Sequence, residues 1–523
     1  MSALLQRRNA LVPILYLPPE ILSTIFQHCV DEAFQTWFPC HWIPEVAHIC
    51  HYWRQVAVTT PTLWAKICLS DCGPDMLRAF LERSSTVPML VDTGTSLGSD
   101  YMDQWHLLFV HFNRIQAFTV RWTSYWQLDS LQDLEIPART TNSLRTLTLA
   151  GSYSEIRSEF PLANTGLHEH LTSSLERLSI SRYIISWNPA FFPKTLTHFR
   201  VHYDPRSGPL ADVVEVISGL SALQKLNLKY CIDYPYTEPD AAGSNRPLSP
   251  ILPPKKVFLP FLTSISLCEH SILPAIQFFL HFRLPPQHHA RIHIQDIRED
   301  QLSLISDLLP ETYSSHGPIR CAKIDMRAKK IFLHGMDAQS GTTQILEFKH
   351  GLRRRYHLSP VWILCELCAR LQLDAITEFH ITLPSDTPCK ASSRDPLEHL
   401  LRALEPMVAV RTLSVSSEPE TLQGRSTLAS ILCHKTRHGG LLLPLLERLV
   451  IDDVAFRVVS ARSQEDFEPP DALSDGRDIP GVWLQRCPDL GLTEMVIAAS
   501  SDDILEEDLQ YFLQDLVEAV YDI

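Results

Sequence analysis

The sequence predicts an α/β chain: a small helical unit at the N-terminus, followed by a long array of short strands. Three observations carry this. The first 70 residues place apolar side chains at helical spacing between prolines. From about residue 110 onward, one six-residue pattern, apolar-x-x-apolar-x-apolar, keeps returning. The chain has 523 residues, 45% hydrophobic and 20% charged, so it is a folded chain able to bury a sizeable core or to run as an extended array.

Residues 1–13 read as an N-terminal extension. The apolar run Ala10–Leu17 after Arg7 and Arg8 is broken by Pro13 and has no small-residue cleavage site, unlike a secretion signal. Leu17-Pro18-Pro19-Glu20 opens a helix, because proline in the first turn forfeits no intrahelical hydrogen bond. Ile21, Leu22, Ile25, Phe26 and Cys29 are expected on one face of it. A long aromatic connection, Asp31–Ile43, leads to a second helix from near Pro44. That helix should carry Val46, Ile49, Cys50, Trp53, Val56 and Ala57 along one stripe, and Thr60-Pro61 stops it.

The six-residue pattern recurs as Ile115/Phe118/Val120, Leu131/Leu134/Ile136, Leu144/Leu147/Leu149, Leu175/Leu178/Ile180, Leu196/Phe199/Val201, Leu223/Leu226/Leu228 and Leu262/Ile265/Leu267. After a murkier middle come Ile376/Phe379/Ile381, Val410/Leu413/Val415, Leu446/Leu449/Ile451 and Leu492/Met495/Ile497. Each copy reads as a short strand entered by a turn that drops a further apolar residue into the core. A single copy cannot bury a core, but stacked copies can, which predicts an irregular leucine-rich-repeat-like solenoid (horseshoe) over 71–500. Asp212–Ile217 and Pro396–Leu404 look helical, and proline-rich or acidic insertions are expected near 234–256, 384–395 and 463–480. Residues 501–523 should form an acidic amphipathic C-terminal helix.

Composition excludes several functions. With 46 Lys+Arg against 60 Asp+Glu, the net charge of −14 opposes binding to nucleic-acid backbones. No glycine-rich phosphate loop is present, and nothing reaches the apolar length of a membrane span. The 13 cysteines, odd in number and irregularly spaced, fit a reduced compartment, so an intracellular soluble protein of the cytoplasm and/or nucleus is expected.

Leu17–Phe26 (L-P-P-E-I-L-S-T-I-F), Val46–Ala57 and Thr60–Trp64 (T-P-T-L-W) resemble the F-box domain in the form found in mushroom-type fungal F-box proteins. The helix-then-strand Leu77–Val91 and the leucine-rich copies beyond it resemble the segments that succeed the F-box in that group. The resemblance implies an F-box domain over 14–70 and a substrate-receptor subunit of a Skp–cullin–F-box type ubiquitin ligase. Such a subunit docks on the Skp-type adaptor, and through it on a cullin–RING ligase, and presents a protein substrate on its repeats. The matching adaptor-binding and F-box positions are Leu17, Pro18, Ile21, Leu22, Ile25, Phe26, Val46, Cys50 and Trp53. The receptor itself is expected to be non-catalytic.

Other patterns compete with this reading. Asp92-Thr93-Gly94-Thr95 resembles the aspartic-protease signature, but no second copy exists to complete a carboxylate pair. Gly94-x-Ser96-x-Gly98 spells a hydrolase nucleophile turn. An aspartyl or serine hydrolase using Asp92 or Ser96 is therefore an alternative, as is a repeat scaffold outside any ligase. Cys365-x-x-Cys368 lacks a second ligand pair, and His281, His288, His289 and His293 show no ligand spacing, so neither metal nor cofactor is expected. Arg353-Arg354-Arg355 reads as a solvated face, and Trp37, Phe38 and Trp42 as packing or a partner anchor.

Overall fold

The computed structural model describes residues 13–35, 39–94, 102–121, 143–151, 174–183, 185–202, 208–233, 256–285, 288–294, 319–325, 330–337, 341–350, 373–382, 396–416, 428, 431–432, 434–436, 439–452 and 494–498. The strand expected at Leu131–Ile136, the three insertions and the C-terminal helix lie outside these residues, apart from Lys256. The chain divides into two compact units, residues 1–237 with 259–262, and residues 238–258 with 263–523. It combines a helical N-terminal segment with α/β structure built on parallel strands.

The first unit opens with three helices, α1 (Pro19–Gln35), α2 (Pro39–Ile49) and α3 (His51–Thr59). Two expectations need correction here. Asp31–Ile43 is not a long connection: α1 runs on to Gln35 and α2 begins at Pro39. The single second helix is broken at Cys50, whose backbone is extended (φ −157, ψ 169) and serves as the N-cap of α3. Helix α3 stops at Thr59, and Thr60 is extended before Pro61, as the restriction on pre-proline residues requires.

A 3-10 turn, Pro61–Ala65, leads into β1 (Lys66–Cys68). Then come α4 (Pro74–Arg83), β2 (Met89–Asp92), α5 (Met102–Phe109), β3 (Ile115–Arg121), β4 (Thr146–Ala150), β5 (Arg177–Ser181), β6 (His198–His202), α6 (Leu210–Gly219) and β7 (Lys225–Lys229). Strands β1 to β7 pair in chain order, each parallel to the next. The recurring pattern becomes columns. Phe118, Leu147, Leu178, Phe199 and Leu226 stand in register across five strands, with Val120, Leu149, Ile180, Val201 and Leu228 as a second column. All ten are at most 4% exposed. The leading residues Ile115, Leu144, Leu175, Leu196 and Leu223 are equally buried.

At three successive copies the small polar residue before the leading leucine has a structural task. Ser143, Ser174 and Thr195 donate their hydroxyls to the carbonyls of Ile115, Leu144 and Leu175, at 3.0, 3.0 and 2.7 Å. The backbone repeats the same stitch. The Arg145 carbonyl accepts from the amides of Glu176 and Arg177, that of Glu176 from Thr197 and His198, and that of Thr197 from Gln224 and Lys225. Cys231 donates its thiol to the Val201 carbonyl at 3.4 Å.

The second unit contains β8 (Ser264–Glu269), α7 (Ile272–His281), β9 (His289–Ile294), β10 (Ile319–Asp325), β11 (Lys330–Asp337), β12 (Gly341–His350), β13 (Glu378–Thr382), α8 (Pro396–Leu404), β14 (Thr412–Ser416), β15 (Arg448–Asp452) and β16 (Glu494–Ala498). Helix α7 is buried on every side from Ile272 to Leu280, so its apolar run has no polar face to show. The strand order is β8-β9-β12-β11-β10-β13-β14-β15-β16. An array of uniformly parallel strands is therefore not what the murky middle forms. Strands β10, β11 and β12 make an antiparallel meander, flanked by the parallel pairs β9–β12 and β10–β13. The reason is chain length: the few residues between β10 and β11, and between β11 and β12, can only turn back, whereas a parallel crossover needs a dozen or more. Beyond the meander the columns resume as Phe379/Leu413/Leu449/Met495 and Ile381/Val415/Ile451/Ile497.

Two outcomes test this packing. Leu178→Ala should cost about 2–5 kcal/mol, and Ser179→Ala, on the opposite face, no more than about 0.5 kcal/mol, read as shifts in denaturant midpoint. His202, at the end of β6, is pushed down to a pKa of about 4, first by burial and then by Arg200, Lys229 and Arg182. Its neutral form is the folded form, so its stabilising contribution is complete above 6.5 and is lost as pH falls from 6.5 through about 4. A His202→Gln variant should show a flatter loss of thermal stability over that window than the unaltered chain.

Candidate functional site

Helix α1 has two apolar faces. Leu22, Phe26 and Val30, spaced by four, point inward and are fully buried. Ile21 and Ile25 lie about a quarter-turn or more away and face solvent, at 51% and 38% exposure, and Pro18, just ahead of the helix, is exposed as well. The single face expected from spacing is therefore divided, and only its Leu22–Phe26 half belongs to the core. Just ahead of the helix, the 3-10 turn Pro13–Tyr16 adds the exposed Ile14 and Tyr16. Ile49, at the end of α2, is 57% exposed rather than part of an inward stripe, because the break at Cys50 ends the periodicity that had placed it inside.

The remaining expected positions hold the helices together. Val46 is buried, and Leu17, Cys50 and Trp53 are half-buried. The Trp53 ring meets Phe26 edge-on, with centroids 5.1 Å apart. Cys50 Sγ accepts from the Trp53 amide at 3.4 Å, which satisfies one of the amides left over at the start of α3. Tyr52 donates its hydroxyl to the Leu17 carbonyl at 2.6 Å, tying α3 to the start of α1. Of the nine positions, then, Leu22, Phe26 and Val46 are interior, Leu17, Cys50 and Trp53 are braces, and Pro18, Ile21 and Ile25 are presented outward. Ile14, Tyr16 and Ile49 join the outward group, which periodicity did not indicate. Only a boundary between helices, invisible to periodicity, could have shown that Ile49 faces out.

The helices are fastened to the strands beyond them. Trp64 is buried, donates Nε1 to the Ala57 carbonyl at 2.8 Å and meets Phe80 edge-on at 5.1 Å, while the Arg83 guanidinium lies 4.3 Å from the Trp64 ring centroid. Lys66 on β1 forms an ion pair with Asp31 on α1, and Gln27 donates to the same carboxylate. Burial pushes the Asp31 carboxyl up, but the hydrogen bonds from Lys66 and Gln27 outweigh it and leave the pKa below the ordinary value.

Residues 14–70 match the F-box-like family model, a stretch that contains α1 to α3 and β1. The chain thus carries an F-box-like domain at its N-terminal end. No curated protein matches the chain.

The rival centres are arranged otherwise. Asp92 ends β2 and is engaged by Arg121, with Nε at 3.0 and 3.1 Å from the two carboxylate oxygens and Nη2 at 3.0 Å. It also accepts from the Gly94 amide at 2.9 Å. Thr93 is buried and accepts from the Arg121 amide at 2.8 Å. Gly94 has φ +75, and a Cβ there would strike the Ser70 side chain, so glycine is required for the turn. Ser96, Cys365, Cys368, Arg353 to Arg355, Trp37 and Phe38 lie outside the described residues. In the histidine group, His281 and His288 bond the carbonyls of Gln277 and Pro285, and His293 meets the Cys268 thiol at 3.3 Å. No disulfide joins Cys29, Cys50, Cys68, Cys72, Cys231, Cys268 or Cys321. No helix among the described residues is long and apolar enough to cross a membrane.

The Cys50 cap can be tested directly. Sulfur is a weak acceptor and serine a strong N-cap, so Cys50→Ser should raise the thermal midpoint by the equivalent of about 0.5–1 kcal/mol, and Cys50→Val should lower it.

Proposed function

We propose that the chain is the substrate-receptor subunit of a Skp–cullin–F-box type ubiquitin ligase, working inside the cell in the cytoplasm, the nucleus or both. The observation that carries this is the F-box-like match over residues 14–70. Support for the docking role comes from the outward apolar pair Ile21 and Ile25, on a helix whose other face is spent on the core, with Pro18 exposed just ahead of it. Exposed aliphatics on a rigid helix, backed by a packed interior, are what a partner protein buries as anchors. The Skp-type adaptor is that partner in this reading, and the cullin–RING ligase is reached through it.

The leucine-rich-repeat-like solenoid, and the kinship with fungal F-box proteins, belong to the same proposal. In-register apolar columns and parallel pairing support the first within each unit, while the antiparallel meander argues for an irregular version. The T-P-T-L-W sequence at Thr60–Trp64 supports the second. The receptor acts by proximity: it holds a protein substrate so that a lysine meets a ubiquitin-loaded enzyme, and supplies no reacting group of its own. Asp92 fits this, since its carboxylate is committed to Arg121.

Full-length chain co-expressed with a Skp-type adaptor should co-purify with it. Replacing both Ile21 and Ile25 by Asp should weaken binding by at least about thirtyfold, the loss of one anchor worth about 2 kcal/mol, without lowering the thermal midpoint of the free chain. Wild-type affinity in that double variant, or no adaptor binding by the unaltered chain, would make the repeat scaffold the better description.

A further inference from the structure

Strands β10 and β13 are far apart in sequence and adjacent in the sheet. Their register sets Cys321 beside Glu378, Ala322 beside Phe379 and Lys323 beside His380. Alternation along a strand then sorts these residues by face. Ala322, Phe379 and Ile381 are buried on one side. Cys321, Glu378 and His380 share the other, where Glu378 is exposed and His380 half-exposed. There the Cys321 thiol, a Glu378 carboxylate oxygen and a His380 ring nitrogen all lie within 4.8 Å of one another.

We propose that Cys321, Glu378 and His380 form a binding site for a divalent transition-metal ion of the zinc type. Three considerations point the same way. The donors are a sulfur, an imidazole nitrogen and a carboxylate oxygen, a mixture that suits zinc and poorly suits calcium or magnesium, which take oxygen shells. Thiolate and carboxylate together neutralise the charge of a divalent ion. The distances are close to those required: ligand bonds of about 2.0–2.3 Å around a tetrahedral ion put the donors roughly 3.3–3.8 Å apart. The exposed Glu378 side chain and the half-exposed His380 ring have χ freedom through which the donors can approach that spacing.

The site has a definite place in the fold. Strand β10 borders the antiparallel meander and β13 begins the parallel strands beyond it, so an ion here straps together the two strands where one arrangement gives way to the other. Cys321 is also in register with His334 on its other neighbour, β11, so three adjoining strands bring His334, Cys321 and Glu378 to one line across the sheet. A clip between residues so far apart in the chain closes a long loop, where a cross-link removes the most unfolded-state entropy. No sequence motif announces it, because the ligands come from strands paired only after folding. Lys323, in register with His380, is a competing cation beside the cluster.

The test uses the full-length chain, stripped with a chelator, reloaded with zinc and dialysed free of excess. About one zinc per chain should remain by elemental analysis, and cobalt(II) in its place should give the near-ultraviolet thiolate-to-cobalt band that marks a sulfur ligand. Cys321→Ser and His380→Gln should each weaken zinc binding by at least about tenfold, in competition with a chromophoric chelator, since even outer partners of metal ligands cost that much. Cys321→Ser should also abolish the cobalt band. His380 is half-exposed, so its variant keeps the fold, which circular dichroism checks, and Cys29→Ser in the other unit should bind as wild type does. Added zinc should raise the thermal midpoint of the unaltered chain and not of the two ligand variants. A chain that retains no zinc, or ligand variants that bind as tightly as the unaltered chain, would overturn the site.

Discussion

The parallel ladder is the constraint on which the molecule depends. A five-residue strand such as Thr146–Ala150 buries Leu147 and Leu149 only because a neighbour on each side carries apolar residues at the same register. A slip of one residue would turn every such side chain to solvent. Register is therefore held twice over. From Thr146–Ala150 onward in the first unit, a carbonyl at the head of a strand accepts two amides from the next, and at Ser143, Ser174 and Thr195 a hydroxyl bonds the carbonyl of the preceding leading residue. These bonds contribute little individually. Together they fix which side chains face the core.

The helical N-terminal segment shares in that constraint. Three helices enclose little volume, and Leu22, Phe26, Val30, Ile43, Val46 and Val56 alone would make a thin core. Strand β1 lies within the F-box-like stretch and pairs with β2 beyond it, while Trp64 packs on Phe80 of α4. The strands thus supply the helices with an interior. This in turn frees the opposite face of α1, where Ile21 and Ile25 can stay in solvent without loosening the fold. Presenting apolar anchors requires that something else pack the back of the helix.

Much of this fold is legible in the residues alone. The strand positions come from the six-residue pattern, since a two-residue alternation with a leading apolar residue has few other physical solutions. Helix α8 is legible at Pro396–Leu404 and α6 to within two residues at each end. The misses have specific causes. Cys50 falls on an apolar stripe because sulfur counts as hydrophobic, and its work as a cap depends on a backbone turn that composition does not reveal. The middle of the chain shows no leading leucines, and the short connections whose length dictates antiparallel pairing carry no proline or glycine signal strong enough to locate them.

By itself the sequence determined the F-box-like segment, the strand sites and the side chains that fill the core. These are local properties: capping prolines, periodicity and short-range spacing act within a few residues. Only the tertiary structure decided which α1 residues face out, which strands are neighbours and which distant residues meet. Ile21 and Leu22 are chemically alike and adjacent in the chain, and only packing separates them. Cys321 and Glu378 meet because β10 pairs with β13, a choice set by the sheet as a whole.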